Sequence, residues 1–215
     1  MSDKSEQMAR DGVVAAYRRA CALGLNEMAS GNISVRFGTG MLISPTGCTA
    51  ESIAADNVVP VNAQGDWAGP HAPSTEWHMH AAIYRDYPDA QAVVHTHGDY
   101  SVAVSCHQRP LPGFHYLIAM FGGTDVPCTA YTTPGTPELG ELASAALKSR
   151  LACLLGSHGM ICRGKSLDHA LGLAQRLEIM CRQYVFACTI GKPVILSDAE
   201  WAAFYAHPLA KNYRY

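Results

Sequence analysis

The amino-acid sequence predicts an α/β fold, with a mixed and largely antiparallel central sheet and helices on its faces. Short segments with alternating apolar residues and longer segments with helical spacing share the chain, without the strict alternation typical of a parallel sheet. With 215 residues, the chain has the length of one ordinary domain, and no repeat, linker or low-complexity segment divides it. We therefore expect a single domain over residues 1–215.

The first third of the chain predicts a helix followed by short strands. Residues 6–22 carry apolar side chains at helical spacing, which is typical of an amphipathic helix. Apolar and polar residues alternate over 33–37, and a glycine-rich turn separates them from the apolar run 41–43, as in a β-hairpin. Residues 58–61 predict an edge strand, because their proline cannot donate to a sheet interior. The turn-rich segment 62–73 should be exposed.

The middle of the chain predicts a helix that leads into a buried strand. We expect the helix over residues 74–87, with Ser74 as N-cap and Glu76 in its first turn, where the helix dipole favours an anion. The apolar residues 92–94 predict the strand, which runs into a His-Thr-His sequence. Asp99 then has the position of a helix N-cap.

The last part of the chain predicts further strands and helices. Residues 126–131 and 151–155 predict strands, and the apolar run 160–162 can continue the second of them. Helices are expected at 137–148, from the N-cap Ser166 to about residue 190, and from residue 197 onward.

The composition limits the partners of the chain. Its formal net charge is -2 and it has no long basic run, so nucleic acid is not an expected partner. The N-terminus is charged, and no apolar stretch approaches the roughly 18 residues of a membrane helix. Its 8 cysteines form no CxxC pair, which favours reduced core thiols. We expect a cytoplasmic protein without membrane attachment.

Because only 16% of its residues are charged, part of its surface should contact another subunit.

Three histidines predict a metal site. Side chains two apart on a strand point the same way, so His95 and His97 share one face at the end of an apolar strand. His158 follows a second apolar strand and lies near glycines that permit a close backbone approach. Three imidazoles around one metal ion leave a further position for an exchangeable ligand.

Simpler interpretations exist for each histidine. A single histidine is more often a partly buried hydrogen-bonding residue than a metal ligand. His78 and His80 are separated by about 200° on a helix, so they face apart and are interpreted as structural or surface residues. Glu76 and His80 share one helix face, and they could bind a metal together or form a hydrogen bond. Spacing alone does not decide between these two.

Several short motifs along the chain resemble the class II aldolase/adducin family. They are Gly31-Asn-Ile-Ser-Val35, Leu42-Ile-Ser-Pro-Thr-Gly47, Pro73-Ser-Thr-Glu76, Ala92-Val-Val-His-Thr-His97, His115-Tyr116, Gly135-Thr136 and His158-Gly159. In this order they cover nearly the whole chain. The resemblance implies the three-layer-like head fold of that family, and it is strongest to the branch that cleaves L-fuculose 1-phosphate.

The resemblance implies a zinc ion held by His95, His97 and His158, with Glu76 as a fourth ligand that leaves when substrate arrives. Imidazoles and a carboxylate suit zinc, although manganese or cobalt can occupy such a site. In the implied mechanism the metal stabilises the enediolate formed when a ketose 1-phosphate is reversibly cleaved to dihydroxyacetone phosphate and an aldehyde. Glu76 shuttles the proton, which requires a carboxylate whose pKa is raised by desolvation.

The resemblance also implies a catalytic tyrosine and a phosphate pocket. Tyr116, contributed by a neighbouring subunit of a homotetramer, would protonate the aldehyde oxygen. Without the motif, a tyrosine packed in the core is the more common case. Three polar loops would bind the substrate phosphate, although each loop alone is an ordinary turn. The loop residues concerned are Asn32, Ser44, Thr46, Gly47, Ser74 and Thr75.

Three departures from the family pattern concern the substrate. Pro134 stands where the resembled branch has a phenylalanine near the aldehyde, and Ala29 replaces a threonine of the phosphate loop. Tyr213 and Tyr215 do not align cleanly with the family's C-terminal tyrosine. They indicate an altered aldehyde pocket, suited to 5-deoxyribulose or 5-methylthioribulose 1-phosphate. The alternatives are a sugar-phosphate epimerase or dehydratase of the same fold, and a non-catalytic, adducin-like interaction domain.

Overall fold

The computed structural model describes residues 3–213 and contains one six-stranded sheet in the order β3-β2-β1-β4-β6-β5. Every strand pair in this sheet is antiparallel, which confirms the expected fold class. The strands are β1 (Asn32–Phe37), β2 (Gly40–Ile43), β3 (Val59–Val61), β4 (Ala92–Thr96), β5 (Ala152–Leu155) and β6 (Gly159–Gly164).

The two ends of the sheet follow from local sequence. β1 and β2 form the predicted hairpin, in which Phe37 pairs with Gly40 next to the turn. β3 lies at the edge and pairs only with β2, so Pro60, which lacks an N–H, leaves no interior ladder incomplete. Residues 62–73 are mostly exposed, as predicted.

Two strand predictions are wrong. Residues 160–162 do not continue the preceding strand: they belong to β6, which folds back on β5 as a hairpin. The turn of this hairpin needs Gly156, because a Cβ there would lie 2.6 Å from the Thr129 carbonyl oxygen. Residues 126–131 form no strand, and their strand-like pairing is limited to isolated bridges at Val126 and Cys128. Pro127 between these bridges has no N–H to extend a ladder.

Helices cover both faces of the sheet. They are α1 (Asp3–Ala22), α2 (Trp77–Asp86), α3 (Asp99–Ser105), α4 (Pro137–Ala146), α5 (Leu167–Ile190) and α6 (Asp198–Ala206), with 3₁₀ segments at Ala55–Asn57, Tyr116–Phe121 and Pro208–Tyr213. Ser166 accepts a hydrogen bond from the His169 N–H at the start of α5, and the helix ends at Gly191, as predicted.

Two helix starts differ from the prediction. α2 begins at Trp77, so Glu76 occupies the N-cap position and Ser74 precedes it. The Glu76 side chain makes no capping bond because it turns into the protein. Asp99 is the first residue of α3 and does not cap it. Instead, both carboxylate oxygens of Glu178 in α5 accept hydrogen bonds from the N–H groups of Tyr100 and Ser101, at 2.8 and 2.9 Å.

The side chains of the strands separate the core into two clusters. On β4, Val94 packs with the α1, α3 and α5 side of the sheet, whereas Val93 packs with the α2 and α4 side. The alternation follows from the two-residue period of a strand. His95 therefore shares the face of Val93, beneath α2.

Residues 3–213 contain no helix that is both long and apolar enough to cross a membrane. All eight cysteines lie within this range and none is paired. Burial raises the pKa of the Cys153 and Cys162 thiols, which lie in the core. They are core residues, as their apolar surroundings predict. Cys106 and Cys188 are exposed, so the expectation of core thiols is wrong for these two.

Candidate metal centre

The middle of the sheet positions the first two histidines. His95 is the fourth residue of β4 and is fully buried, and its Nδ1 donates a hydrogen bond to the Met160 carbonyl oxygen of β6, 2.8 Å away. His97 follows the strand, and its backbone N–H donates to the Leu25 carbonyl oxygen at 3.0 Å. Both imidazoles thus lie on structure that is fixed by main-chain pairing.

The third histidine comes from the turn of the β5–β6 hairpin. The His158 N–H lies 3.0 Å from the Leu155 carbonyl oxygen and 3.2 Å from the Ser105 hydroxyl. The next residue, Gly159, has no Cβ, and one placed there would lie 3.1 Å from the His97 ring. Glycine at this position lets the hairpin approach β4 closely enough for the imidazoles to meet.

Glu76 supplies the carboxylate from the residue before α2. Its side chain is mostly buried, and its Oε2 accepts a hydrogen bond from Asn32 Nδ2 at 3.0 Å. Oε2 also lies 3.0 Å from His95 Nε2, and Oε1 lies 3.2 Å from His158 Nε2. The carboxylate therefore spans the space between two histidines.

The four side chains converge on one point. His95 Nε2 and His97 Nε2 are 2.8 Å apart, and one potential ligand atom from each of Glu76, His95, His97 and His158 lies within 4.8 Å of the others. The three imidazole rings lie edge to face, with centroids 4.6 to 4.9 Å apart. The structure thus brings together every residue for which metal ligation was predicted.

The donor set fits a metal cation. Because Nδ1 of His95 donates its proton to a carbonyl, a neutral ring has a lone pair on Nε2, which faces the Glu76 carboxylate. Burial, together with the charges of His95 and His158, lowers the pKa of His97 to about 3, so its ring is neutral near pH 7. Lone pairs and an anion that share one centre are stabilised by a cation placed between them.

The pKa of Glu76 is shifted opposite to the expectation. Desolvation by burial does raise it, but without a metal the positive charge of a protonated His95 and hydrogen bonds from His158 and His95 outweigh burial and lower the pKa below its ordinary value. The carboxyl group is therefore ionised in this arrangement, as a metal ligand must be. A raised pKa would require the carboxylate to leave the histidines.

The residues predicted to bind phosphate lie on loops that contact one another near Glu76. The Ser74 N–H donates to the Ser44 carbonyl oxygen, and the Thr46 N–H donates to the Ala72 carbonyl oxygen, both at 3.1 Å. Ser74 and Ser44 are buried, whereas Thr46, Gly47 and Thr75 are exposed. Gly135 approaches Thr75 from a further loop. Asn32, at the start of β1, is bonded to Glu76 itself.

Tyr116 lies in an aromatic cluster and not among the histidines. Its ring stacks on His115 at 4.8 Å and contacts Phe204 and Tyr213 at 5.8 and 5.6 Å. Tyr116 is 40% exposed. A hydrogen bond with Tyr116 raises the pKa of Tyr213. Tyr213 is thus the C-terminal tyrosine that meets Tyr116, and Tyr215 lies outside the described residues.

Two of the three departures from the family pattern lie on the surface. Pro134 precedes the Gly135 turn, Ala29 precedes β1, and both residues are exposed in this chain. Nothing in their contacts within one chain explains a substrate preference.

Two residues support the site in ways that the sequence did not predict. Glu178 supports the segment after His97 by capping α3, and Gly98 has no side chain that would block this carboxylate. His80, interpreted as a structural or surface residue, is fully buried and its Nε2 lies 2.6 Å from Asn32 Oδ1. The four-residue spacing of Glu76 and His80 was the available signal, and the structure decides for a hydrogen-bonding role.

A six-stranded antiparallel sheet with a buried cluster of one glutamate and three histidines at its centre defines a class of metal-site α/β proteins. Residues 11–185 match the family model described as Class II Aldolase and Adducin N-terminal domain. This chain belongs to the class II aldolase and adducin family. The family and enzyme class predicted from the motifs are therefore confirmed.

Named relatives agree with this assignment. The chain is 44% identical to a 5-methylthioribulose-1-phosphate/5-deoxyribulose-1-phosphate aldolase of Rhodospirillum rubrum, over 89% of this chain and 86% of the relative. It is also 44% identical to an L-fuculose phosphate aldolase of Escherichia coli K12, over 84% of each chain. A solved L-fuculose 1-phosphate aldolase superposes with a TM-score of 0.88 at 30% identity and covers 96% of both chains.

Proposed function

We propose that this protein reversibly cleaves a ketose 1-phosphate to dihydroxyacetone phosphate and an aldehyde. The observation that carries the proposal is the convergence of Glu76, His95, His97 and His158 in a chain of this family. A non-catalytic, adducin-like domain has no need for such a buried set of ligands. Both kinds of relative at 44% identity are named as aldolases of sugar phosphates, and two of the reported names specify a 1-phosphate, which supports this substrate class.

We further propose zinc as the metal, bound by the three Nε2 atoms and the Glu76 carboxylate. Three nitrogens and one oxygen suit zinc, and manganese and cobalt are the alternatives to be tested. When bound, the metal supplies Lewis-acid stabilisation of negative charge on the substrate oxygens. Glu76 lies before α2, whereas the histidines lie on or directly beside β4 and β6, so Glu76 would be the ligand that gives up its position to substrate.

Released from the metal, Glu76 would act as the base. Away from the imidazoles, the contacts that lower the pKa of its carboxyl group are lost, and burial shifts the pKa upwards, towards the range useful for proton transfer. Tyr116 acts as the acid that gives a proton to the aldehyde oxygen. Since the described ring contacts of Tyr116 are with His115, Phe204 and Tyr213, the proposal assigns this role to Tyr116 of a neighbouring subunit.

The substrate phosphate is proposed to bind beside Glu76. The main-chain contacts between the Ser44 and Ser74 loops support this, because they place hydroxyl and N–H groups together without a lysine or arginine. The residues proposed to contact the phosphate are Asn32, Ser44, Thr46, Gly47, Ser74 and Thr75.

A homotetramer in the cytoplasm completes the proposal. Large apolar side chains are exposed at the end of α5 and beyond it, including Ile190 at 91% and Val194 at 85%. Apolar surface of this kind is typical of subunit contacts. The unpaired cysteines support a reducing compartment.

The direct test is an assay of the zinc-loaded protein with L-fuculose, 5-deoxyribulose and 5-methylthioribulose 1-phosphates. We expect release of dihydroxyacetone phosphate from at least one of them, and loss of this activity after chelation. Conversion of a sugar phosphate without dihydroxyacetone phosphate would indicate epimerisation or dehydration instead. Well under one metal ion per chain after gentle purification would favour the adducin-like alternative.

Subunit complementation tests the tetramer and the role of Tyr116 together. Inactive His95→Ala and Tyr116→Phe variants are mixed, unfolded and refolded. If each site takes its metal from one subunit and its tyrosine from the next, about a quarter of the sites regain both. No recovery in mixed tetramers would contradict a tyrosine supplied by the neighbour.

A further inference from the structure

A row of buried polar side chains connects Glu76 to the interior between β1 and α2. Asn32 and Ser34 are two apart on the strand, so they share the face beneath the helix. His80 and Tyr84 follow Glu76 at four-residue spacing, so the three share one side of α2 or of the turn that leads into it. The strand residues and helix residues alternate in one continuous row.

Successive contacts in the row are short. The Tyr84 hydroxyl lies 2.9 Å from Ser34 Oγ, and Ser34 Oγ lies 2.6 Å from His80 Nδ1. His80 Nε2 lies 2.6 Å from Asn32 Oδ1, and Asn32 Nδ2 lies 3.0 Å from Glu76 Oε2. All five side chains are buried, so water does not compete for these bonds.

The chemistry of the groups fixes the direction of every bond. An ionised Glu76 can only accept, so Asn32 presents its amide nitrogen to Glu76 and its oxygen to His80. His80 must then hold its proton on Nε2. Burial keeps the ring neutral, since it lowers the pKa of His80 to about 3. Nδ1 of the neutral ring accepts from Ser34, which in turn accepts from Tyr84.

We propose that His80 is a positioning residue for the metal-binding carboxylate, acting through the orientation of Asn32. Every donor in the row points towards Glu76, so His80 determines which end of the Asn32 amide meets the carboxylate. With His80 absent, the amide can turn its oxygen towards Glu76, and two acceptors would then repel each other.

The effect on turnover rests on the proposed function, but the effect on the carboxylate does not. The experiment therefore uses Co²⁺ as the probe metal, because its visible absorption spectrum reports the number and type of its ligands. Three variants are loaded with Co²⁺ and compared with the unchanged protein: His80→Phe, Ser34→Ala and the control His78→Phe. His78 is half-buried, packs on Trp77 and lies outside the row.

We expect His80→Phe to bind Co²⁺ through its three histidines, but with a changed spectrum and with kcat reduced about 10- to 100-fold. Ser34→Ala should change the spectrum and kcat in the same direction, but by less. His78→Phe should change neither the spectrum nor kcat. If His80→Phe does not fold, the Ser34→Ala variant tests the proposal, because the loss of one hydroxyl group should leave the protein folded.

A further readout separates positioning from a general structural effect. In an Asn32→Ala background, adding Ser34→Ala should have no further effect on the spectrum, since the row acts through Asn32. Additive effects, or an unchanged spectrum in a folded His80→Phe or Ser34→Ala variant, would overturn the proposal. Absence of aldolase activity in the unchanged protein, with the spectral differences present, would instead refute the proposed reaction and leave the positioning role intact.

Discussion

The metal cluster and the aromatic cluster around Tyr116 differ in how far one chain completes them. Glu76 and its three histidines are buried or nearly so, and β4, the β5–β6 turn and the start of α2 all contribute to them. Tyr116 is 40% exposed and contacts other aromatic rings near the C-terminus. A charge centre must be desolvated and held rigidly within one fold, whereas a proton donor can be left at the surface for a second subunit.

The largest effect is expected from removing one ligand of the metal cluster. His95→Ala should abolish both metal binding and turnover, because two imidazoles and a carboxylate hold zinc much more weakly. Metal analysis of the purified protein and the dihydroxyacetone phosphate assay measure this. The control is His71→Ala, an exposed histidine outside the cluster. Full activity in metal-free His95→Ala protein would exclude metal catalysis.

The two proposed proton-transfer residues should behave differently. Tyr116→Phe should reduce kcat by about 10²- to 10⁴-fold, because the variant lacks the proton donor. Its metal content should not change, because Tyr116 lies outside the metal cluster. Glu76→Gln should reduce kcat by a similar factor but also weaken metal binding, since a neutral amide is a poorer ligand. Metal titration and steady-state kinetics distinguish them. Loss of metal in Tyr116→Phe would contradict the separation of the two clusters.

Acid stability should reveal the neutral His80 in the buried region. Its pKa is about 3 in the folded protein and 6.5 when unperturbed, so the unfolded chain takes up a proton first as pH falls. Its stabilising contribution is complete above pH 6.5 and is lost progressively towards pH 3. In metal-free protein, His80→Phe should make the free energy of unfolding less dependent on pH, by about 1.4 kcal/mol per pH unit. Urea unfolding between about pH 6 and pH 4 measures this, and equal slopes would contradict a neutral His80.

The smallest expected effect concerns the support behind His97. Glu178→Gln should lower the free energy of unfolding by about 1–2 kcal/mol, because one of its two bonds to the α3 N–H groups loses its acceptor. The control is Glu141→Gln, whose exposed pair with Arg85 is screened by solvent and should contribute less than the buried ends of the Glu178 bonds. Urea denaturation measures both. A larger loss from Glu141→Gln would contradict the structural importance of this cap.

Local sequence was sufficient where neighbouring residues determine the structure. The Ser166 cap, the β1–β2 hairpin and the strand that carries His95 were predicted from periodicity, turn residues and cap chemistry. The His-x-His spacing on a strand places His95 and His97 on one face, whereas Glu76 joined the predicted ligands only through the resemblance to the family. Their convergence at one point agrees with that prediction.

The failures have a common cause in long-range contacts. Residues 126–131 have strand composition, but no neighbouring strand pairs with them continuously. α2 begins after Glu76 because the carboxylate bonds to Asn32 and faces the histidines, which lie far away along the chain. The cap of α3 comes from Glu178 in place of Asp99 for the same reason.

The sequence by itself determined the family, the kinds of ligand and the positions of most elements, because these depend on residue types and short spacings. Only the tertiary structure decided the tautomer of His95, the ionised state of Glu76 and the burial of His80 between β1 and α2. Proton positions and charges in a buried site depend on which groups face one another across the fold. Residues adjacent in sequence do not determine those neighbours.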